Sequence, residues 1–324
     1  MEYTKLGSTG TDVSQLCFGT WRFAKERGGV VETNREEAHD LLDAAWENDI
    51  NFIDTANSYG EPAGTSEKWI GEWLTEHDRE DFVIASKVYG TAVSRFSQNL
   101  SRKNIRAEIE GTLERLGTDY LDVYCLHRWD DETPIEETLS TLHELVREGK
   151  VHYVAASSMA AWKLTKGLWK SDANDWERFE VTQPRFNAVY REEVADFIDV
   201  CRDQDIAVCP YSPLEGGFLT DKYDRDEKPP EGSRADLNSW DDHWDDRQWR
   251  VLESIREVAD EVEATPAQVS LRWMIDQDFC CVPIIGARTV DQLNENAEAG
   301  DLSLSSAQLE RITAAYEPVD EENQ

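Results

Sequence analysis

Short apolar runs alternate with longer amphipathic segments along this chain, and that alternation limits the folds open to it. The runs are hydrophobic throughout rather than in every second position, as expected of parallel strands covered on both faces. The segments between them carry apolar residues at the three- and four-residue spacing of helices. The predicted strands read SQLCFGTW, NFIDTA, FVIASKV, LDVYCLH, VHYVAASS, VTQPRFN, AVCPYS and CVPIIG. The clearest helical patterns span 36–47, 101–116, 135–147, 192–203 and 289–299.

Two parallel α/β architectures suit eight strand–helix units, a doubly wound sheet and a closed barrel. A doubly wound sheet that binds dinucleotides carries G-x-G-x-x-G after its first strand. This chain lacks that motif, since Gly7 and Gly10 lie in a turn before the first long strand. The sequence therefore predicts an α/β fold of the (β/α)₈ TIM-barrel type.

Two segments stand outside the repeating pattern. Residues 2–14 predict a small hairpin with its turn at 8–10, which would cover the bottom of the barrel. Residues 220–246 form a long polar connection after strand seven, typical of an active-site lid or a disordered insert. No linker or second core is visible, so we predict a single domain over 1–318 and a flexible tail at 319–324.

The composition is strongly acidic, with 67 Asp and Glu against 33 Lys and Arg and a formal charge of −34. Such a surface repels nucleic acid and anionic lipid, so neither is expected as a partner. The acids are spread along the whole chain, which favours an extreme halophile over an acidic mesophilic enzyme. No signal-peptide pattern or membrane-length apolar segment is present, so we expect a soluble, cytoplasmic protein with its six cysteines reduced.

Polar side chains at the ends of three consecutive predicted strands define a candidate catalytic site. Asp54 ends strand two and Tyr59 follows in the adjoining loop, while Lys87 ends strand three and His127 ends strand four. Barrel active sites form where strands end, and neighbouring strands lie ~4.8 Å apart, so these side chains should meet. Each residue alone is compatible with a structural role, but the joint placement favours a functional one.

This set of residues suits proton transfer to a carbonyl oxygen. A tyrosine has a pKa of ~10, and a nearby ammonium such as Lys87 lowers that pKa by stabilising the phenolate. Asp54 would hold Lys87 in place, and His127 would hydrogen-bond the carbonyl from the side opposite Tyr59. We therefore predict reduction of aldehydes or ketones to alcohols, or the reverse, with a nicotinamide cofactor carrying the hydride and no metal.

Nearly the whole chain resembles the aldo-keto reductase superfamily through an ordered series of motifs. These motifs are GTW at 19–21, FIDTANSYG, ASKV, CLHR, TQPRFN, YSPLEGGFLTDKY and GARTVDQLNEN. The resemblance implies the barrel fold, with Tyr59 as general acid/base assisted by Asp54, Lys87 and His127. It also implies an NADP cofactor, with NAD as the alternative.

The resemblance further implies which residues bind the cofactor. Ser157, Ser158 and Gln183 would hold the nicotinamide amide, and Tyr211 would stack on the ring. The full implied set is Thr20, Trp21, Asp54, Ser157, Ser158, Gln183, Tyr211, Ser212, Leu214, Gly216, Lys222, Arg234, Gly286, Arg288, Gln292, Glu295 and Asn296.

The sequence departs from the family pattern at two places in this set. Ser158 stands where the family usually has asparagine, and a serine hydroxyl reaches less far than an amide. At the adenosine end, Arg288 and Arg234 are the cations available for a 2′-phosphate. Candidate substrate contacts are Trp21, Tyr89, Trp129, Trp240 and Trp244; an aromatic pocket of this kind, with few charges, would suit small aldehydes, ketones or sugar carbonyls.

The sequence also bears on two other functional classes. A nucleotide-bound regulatory subunit of the potassium-channel β-subunit type shares the same motifs and would turn over slowly while bound to a partner. A metal-dependent barrel hydrolase is disfavoured, because the chain has six histidines and no H-x-H or H-E-x-x-H motif. The sequence does not specify the substrate or the reaction direction, and it is compatible with a homo-oligomer.

Overall fold

A parallel sheet of eight strands forms the centre of the computed structural model, which describes residues 1–27, 30–89, 98–238 and 244–316. The first seven strands pair with one another in chain order, and the eighth pairs with the first. The strands are β1 (Cys17–Gly19), β2 (Phe52–Asp54), β3 (Val83–Val88), β4 (Leu121–Leu126), β5 (Val151–Ser157), β6 (Phe179–Gln183), β7 (Ala207–Val208) and β8 (Ile284–Ile285).

Hydrogen bonds also connect β7 to the segment that leads into β8. The Val208 amide donates to the Cys280 carbonyl at 2.8 Å, and the Val282 amide donates to the Val208 carbonyl at 2.8 Å. The Ile284 amide donates to the Pro210 carbonyl at 2.9 Å. The sheet is therefore curled, which is consistent with the predicted (β/α)₈ barrel.

Helices connect successive strands of the sheet. They are α1 (Arg35–Glu47), α2 (Thr65–Leu74), α3 (Arg102–Leu116), α4 (Ile135–Arg147), α5 (Ala161–Asn174), α6 (Ala195–Asp203), α7 (Arg234–Asn238), α8 (Asp246–Val262), α9 (Pro266–Ile275), α10 (Val290–Ala297) and α11 (Ser306–Ala314). The five helices predicted from periodicity are confirmed within a few residues. Capping explains where α1 and α3 begin. The side chains of Asn34 and Ser101, just before these helices, accept hydrogen bonds from backbone N–H groups of the first turn.

Side chains alternate across the strands, so the sheet has two buried faces. One set, which includes Ile53 and Tyr124, packs against the helices in the larger core. The other set forms a smaller core inside the curled sheet; it contains Phe52, Ala85 and Cys125. Inner positions recur at every second residue. The residues two places beyond an inner core position are Asp54, Lys87, His127, Ser157 and Gln183.

The predicted N-terminal hairpin is confirmed. Strands Tyr3–Lys5 and Asp12–Ser14 pair antiparallel, and Leu6 and Val13 join the inner core. Gly7 has φ +58°, and a Cβ there would lie 2.7 Å from the amide nitrogen of Ala207 at the start of β7. Glycine is therefore required for the hairpin to reach the amino ends of the strands, opposite the candidate site.

The long connection after β7 is partly helical. A 3₁₀ helix, Glu215–Thr220, precedes it, α7 lies within it, and the Asp245 side chain caps α8. Residues 239–243, with the candidate Trp240, lie outside the described residues, as does the predicted tail at 319–324. None of the helices in the described ranges combines the length and apolarity needed to cross a bilayer.

Gly71 provides a test of the packing between α2 and α3. A Cβ at Gly71 would lie 2.3 Å from the carbonyl oxygen of Arg115, a backbone atom that cannot rotate away. We expect Gly71→Ala to lower the free energy of unfolding by about 1–3 kcal/mol in urea titrations. Gly10→Ala is the control, because no atom lies within 4 Å of a Cβ built there. Equal losses in the two variants would contradict this account.

Candidate active site

Lys87 and Asp54 form a buried ion pair at the carboxyl ends of β3 and β2. Each residue is 3% exposed. The Lys87 ammonium donates to Asp54 Oδ1 and, at 2.7 Å, to the carbonyl oxygen of Thr55. The second carboxylate oxygen, Oδ2, accepts a hydrogen bond from Gln183 Nε2 at 2.6 Å. Both oxygens of Asp54 are therefore satisfied, which a buried charge requires.

Tyr59 lies next to this pair, in the loop that follows β2. Lys87 Nζ donates to the Tyr59 hydroxyl at 3.3 Å and lies 4.8 Å from the centroid of the ring. The loop is held by Asn57, whose Nδ2 donates to Oε2 of the buried Glu108 at 2.8 Å. Glu108 was not predicted as part of the site, because it lies on α3, far from Tyr59 along the chain.

His127 completes the set on the side of β4. Its ring centroid lies 5.8 Å from that of Tyr59, with the two rings inclined at 75°. Burial is the largest of three causes, with the charges of Lys87 and Arg128, that together lower the pKa of His127 to about 3. The imidazole is therefore neutral at neutral pH, so it can offer a hydrogen bond but no positive charge.

The electrostatics of Tyr59 differ from the sequence-based expectation. Burial raises the pKa of Tyr59 above its ordinary value, and this outweighs the lowering by Lys87, while Asp54 also raises it. The predicted net lowering of the Tyr59 pKa is therefore wrong. Burial by itself lowers the pKa of Lys87, but the negative charge of Asp54 and the neighbouring Tyr59 hydroxyl raise it by more. At neutral pH Lys87 is charged and Tyr59 keeps its proton.

Two of the three residues predicted to hold the nicotinamide amide are buried beside this pair. Ser157 Oγ donates to the Gln183 carbonyl at 2.9 Å and shares a 3.2 Å hydrogen bond with Ser158 Oγ. Ser158 is exposed and adopts φ +51°. One amide hydrogen of Gln183 is already donated to Asp54, a contact that the sequence did not predict.

The loop after β1 also contacts the candidate catalytic residue Asp54. The hydroxyl of Thr20, which is fully buried, donates to the Asp54 carbonyl at 3.0 Å and shares a 2.8 Å hydrogen bond with Ser66. Trp21 is 37% exposed, and cations lie over its ring. Lys25 Nζ is 2.9 Å from the ring centroid, and the Arg234 guanidinium carbon is 5.2 Å from it.

The loop after β7 has an unusual backbone. Ser212 and Gly216 have φ +57° and +64°, and Asn187 Nδ2 donates to the Ser212 carbonyl at 2.9 Å. At Gly217 φ is +97°, and a Cβ would lie 2.1 Å from Lys222 Nζ. Leu214 packs against the core, whereas Tyr211 is 38% exposed. The loop thus offers a flat aromatic face and a glycine segment with a lysine against it.

Four cations from four segments lie close together at this end of the sheet. Burial lowers the pKa of Lys222, and Arg288, Arg22 and Arg234 lower it further. Burial also lowers the pKa of Arg22, with Arg288 and Arg234 acting in the same direction against its partner Glu32. This cation cluster, Arg22, Lys222, Arg234 and Arg288, suits a ligand with several negative charges. Sequence reasoning missed Arg22, although it directly follows the GTW motif.

The residues predicted for the adenosine end lie between β8 and the end of α10. The Arg288 amide donates to Gln292 Oε1 at 3.0 Å, and Asn296 is buried on the same helix. Glu295 is exposed, and no atom lies within 4 Å of a Cβ built at Gly286. Together with the exposed ring of Tyr211 and the cation cluster, these features fit a nicotinamide dinucleotide.

The candidate substrate aromatics fall into two groups. Trp244 packs in an aromatic cluster, 4.4 Å from Phe218 and 4.8 Å from Tyr223 between ring centroids, so it serves the core beneath the long connection. Trp129 lies two residues after His127, with its ring centroid 6.4 Å from that of the exposed Trp162. Of these two tryptophans, Trp129 is therefore the one whose position in the sequence puts it next to His127.

Comparison with known proteins identifies the class. The model of the aldo/keto reductase family matches residues 15–317, and the chain belongs to this family. It is 33% identical to the "uncharacterized oxidoreductase YrpG" of Bacillus subtilis (strain 168), over 98% of this chain and 96% of that protein. It is 33% identical to norsolorinic acid reductase B of Aspergillus parasiticus, over 94% and 81%. Protein tas of Escherichia coli (strain K12) is 30% identical over 98% of both chains. These relatives support a general oxidoreductase function.

The buried ion pair can be tested by a double-mutant cycle. Asp54→Asn leaves the Lys87 ammonium buried without its carboxylate, so we expect it to lower the free energy of unfolding by about 3–5 kcal/mol. Adding Lys87→Met should restore part of the loss, with a coupling energy of about 1–3 kcal/mol in urea titrations.

The more exposed pair Arg178–Asp172, 3.0 Å apart, is the control for this cycle. Its coupling energy should stay below about 1 kcal/mol. Additive effects of the Asp54 and Lys87 substitutions would show that the buried pair is not an energetic unit.

Proposed function

We propose that this protein is an NADP-dependent aldo/keto reductase that interconverts aldehydes or ketones and alcohols. The observation that carries the proposal is the hydrogen-bonded chain Tyr59–Lys87–Asp54 beside His127, in a chain of the aldo/keto reductase family. The groups needed to protonate a carbonyl oxygen lie together at the carboxyl end of the sheet, where barrel enzymes hold their substrates.

In this proposal Tyr59 donates its proton to the substrate oxygen. Lys87 stays charged beside the tyrosine and stabilises the phenolate that remains, while Asp54 fixes the direction of the ammonium. The neutral His127 donates a hydrogen bond to the same oxygen and orients the carbonyl. When bound, a nicotinamide cofactor supplies or accepts the hydride. In the direction of alcohol oxidation Tyr59 takes the proton back.

The cation cluster supports NADP as the cofactor. The resemblance assigns the nicotinamide end to Ser157, Ser158, Gln183 and Tyr211. Lys222 would lie along the pyrophosphate, and Arg288 would bind the 2′-phosphate with Arg22 and Arg234 close by. Four cations near each other repel one another, and the negative charges of bound phosphates would offset that repulsion. The excess of acids elsewhere supports adaptation to concentrated salt, so activity is best assayed there.

Tyr59→Phe tests the proton donor. Because only the hydroxyl is removed, we expect kcat for a simple aldehyde to fall by about 100- to 10,000-fold while cofactor affinity is kept. Steady-state oxidation of NADPH and quenching of tryptophan fluorescence measure the two quantities. Tyr120→Phe is the control, because Tyr120 lies just before β4, at the opposite end of the sheet, where its hydroxyl donates to Glu80. An unchanged rate in Tyr59→Phe would overturn the proposed mechanism.

Arg288→Gln tests the choice of cofactor. Loss of a charge-assisted hydrogen bond costs about 1.5–3 kcal/mol, so KM for NADPH should rise about 10- to 100-fold. KM for NADH should change little, because NADH lacks the 2′-phosphate. Initial rates with both coenzymes at fixed aldehyde concentration provide the comparison. A parallel rise of both KM values would argue that Arg288 contributes only general positive charge.

A further inference from the structure

Arg128 is the residue that follows His127 at the end of β4. The His127 amide donates to the Val88 carbonyl at 2.9 Å, which extends the pairing of β3 and β4 to this point. The Arg128 guanidinium carbon lies 5.0 Å from the ring centroid of Tyr89, the residue after β3. Consecutive Cα atoms are ~3.8 Å apart, so Arg128 starts beside the catalytic histidine. The Tyr89 ring favours this position of the guanidinium by a cation–π contact.

Arg128 is exposed and forms no ion pair with any residue in the described part of the chain. This is notable where acids outnumber bases 67 to 33. The nearby carboxylates are occupied elsewhere. Asp130 accepts hydrogen bonds from the Leu100 and Glu132 amides, at 2.9 Å each, and from the Thr133 hydroxyl at 2.5 Å. Asp131 pairs with Lys163 at 2.8 Å.

The charge of Arg128 acts at the catalytic site. The pKa of His127 is lowered most by burial, less by the charge of Lys87 and least by the charge of Arg128. The charge of Lys87 is compensated by Asp54, while that of Arg128 has no carboxylate partner among the described residues. At the Arg128 side, an anionic group on a substrate whose carbonyl lies between Tyr59 and His127 would therefore meet a cation that no described carboxylate compensates.

We propose that Arg128 is a specificity-determining residue, which binds the carboxylate of carbonyl substrates that carry an acidic group. The inference rests on the proposed reductase function and extends it from small uncharged carbonyls to carboxylate-bearing ones. A guanidinium offers two parallel N–H donors that match the two oxygens of a carboxylate. Trp129 and Trp162, next along the same side, offer aromatic surface to the rest of such a substrate.

The test compares two aldehydes that differ only in charge, 4-carboxybenzaldehyde and its neutral methyl ester. Arg128→Gln should raise KM for the acid by about 10- to 100-fold, as expected for loss of a charge-assisted hydrogen bond. KM for the ester and kcat for both aldehydes should stay close to those of the unaltered protein. Arg128→Lys should keep part of the preference, since the ammonium retains the charge but not the two-donor geometry.

Arg147→Gln is the matched control. Arg147 is also an exposed arginine, but it ends α4 and lies toward the amino ends of the strands. Both KM values should be unchanged in this variant. An equal rise of KM for acid and ester in Arg128→Gln would overturn the inference, as would an equal loss of preference in Arg147→Gln.

Failure of the proposed function gives a different result. In that case the unaltered protein reduces neither aldehyde with NADPH or NADH. Binding of benzoate, followed by tryptophan fluorescence in the presence of NADP, then tests Arg128 by itself. Weaker binding in Arg128→Gln than in Arg147→Gln would support the anion site, and equal binding in both would overturn it.

Discussion

The buried ion pair between Lys87 and Asp54 is the interaction on which the rest of the site depends. Two charges removed from water are stable only when their remaining hydrogen-bonding groups are satisfied. The Thr55 carbonyl and Gln183 supply those partners, and the leftover ammonium hydrogen points to Tyr59. Fixing this pair therefore fixes the strand ends β2, β3 and β6 relative to one another, and it sets the position of the tyrosine.

Burial and charge act on this site in opposite directions. Removal from water raises the pKa of Tyr59 and lowers that of His127, so both are neutral around a charged Lys87. An ammonium held between neutral donors suits a reaction in which negative charge grows on a single oxygen. The cation cluster lies on one side of the Lys87 ammonium and Arg128 on the other. Positive charge is therefore concentrated at the carboxyl ends of the strands, although the formal charge of the whole chain is −34.

The meeting of Asp54, Lys87 and His127 was predictable from the sequence because these candidate residues lie at fixed positions at the ends of strands. Asp54, Lys87 and His127 each lie two residues beyond an inner core position, and strand alternation turns them toward one interior. Glu108, Arg22 and Arg128 were not found in this way. Glu108 supports the Tyr59 loop from a helix. Arg22 belongs to the site because it lies near Lys222, Arg234 and Arg288. Arg128 belongs to it because it lies beside His127 and has no carboxylate partner in the described structure.

The sequence by itself determined the order of strands and helices, the hairpin at the amino ends and the candidate residues at the carboxyl ends of the strands. Periodicity and motif spacing are local properties, so they can be read along the chain. The tertiary structure decided the protonation states, the partners of Gln183 and the meeting of Arg22, Lys222, Arg234 and Arg288. Burial and charge proximity decide such properties, and both arise only when segments distant in sequence come together.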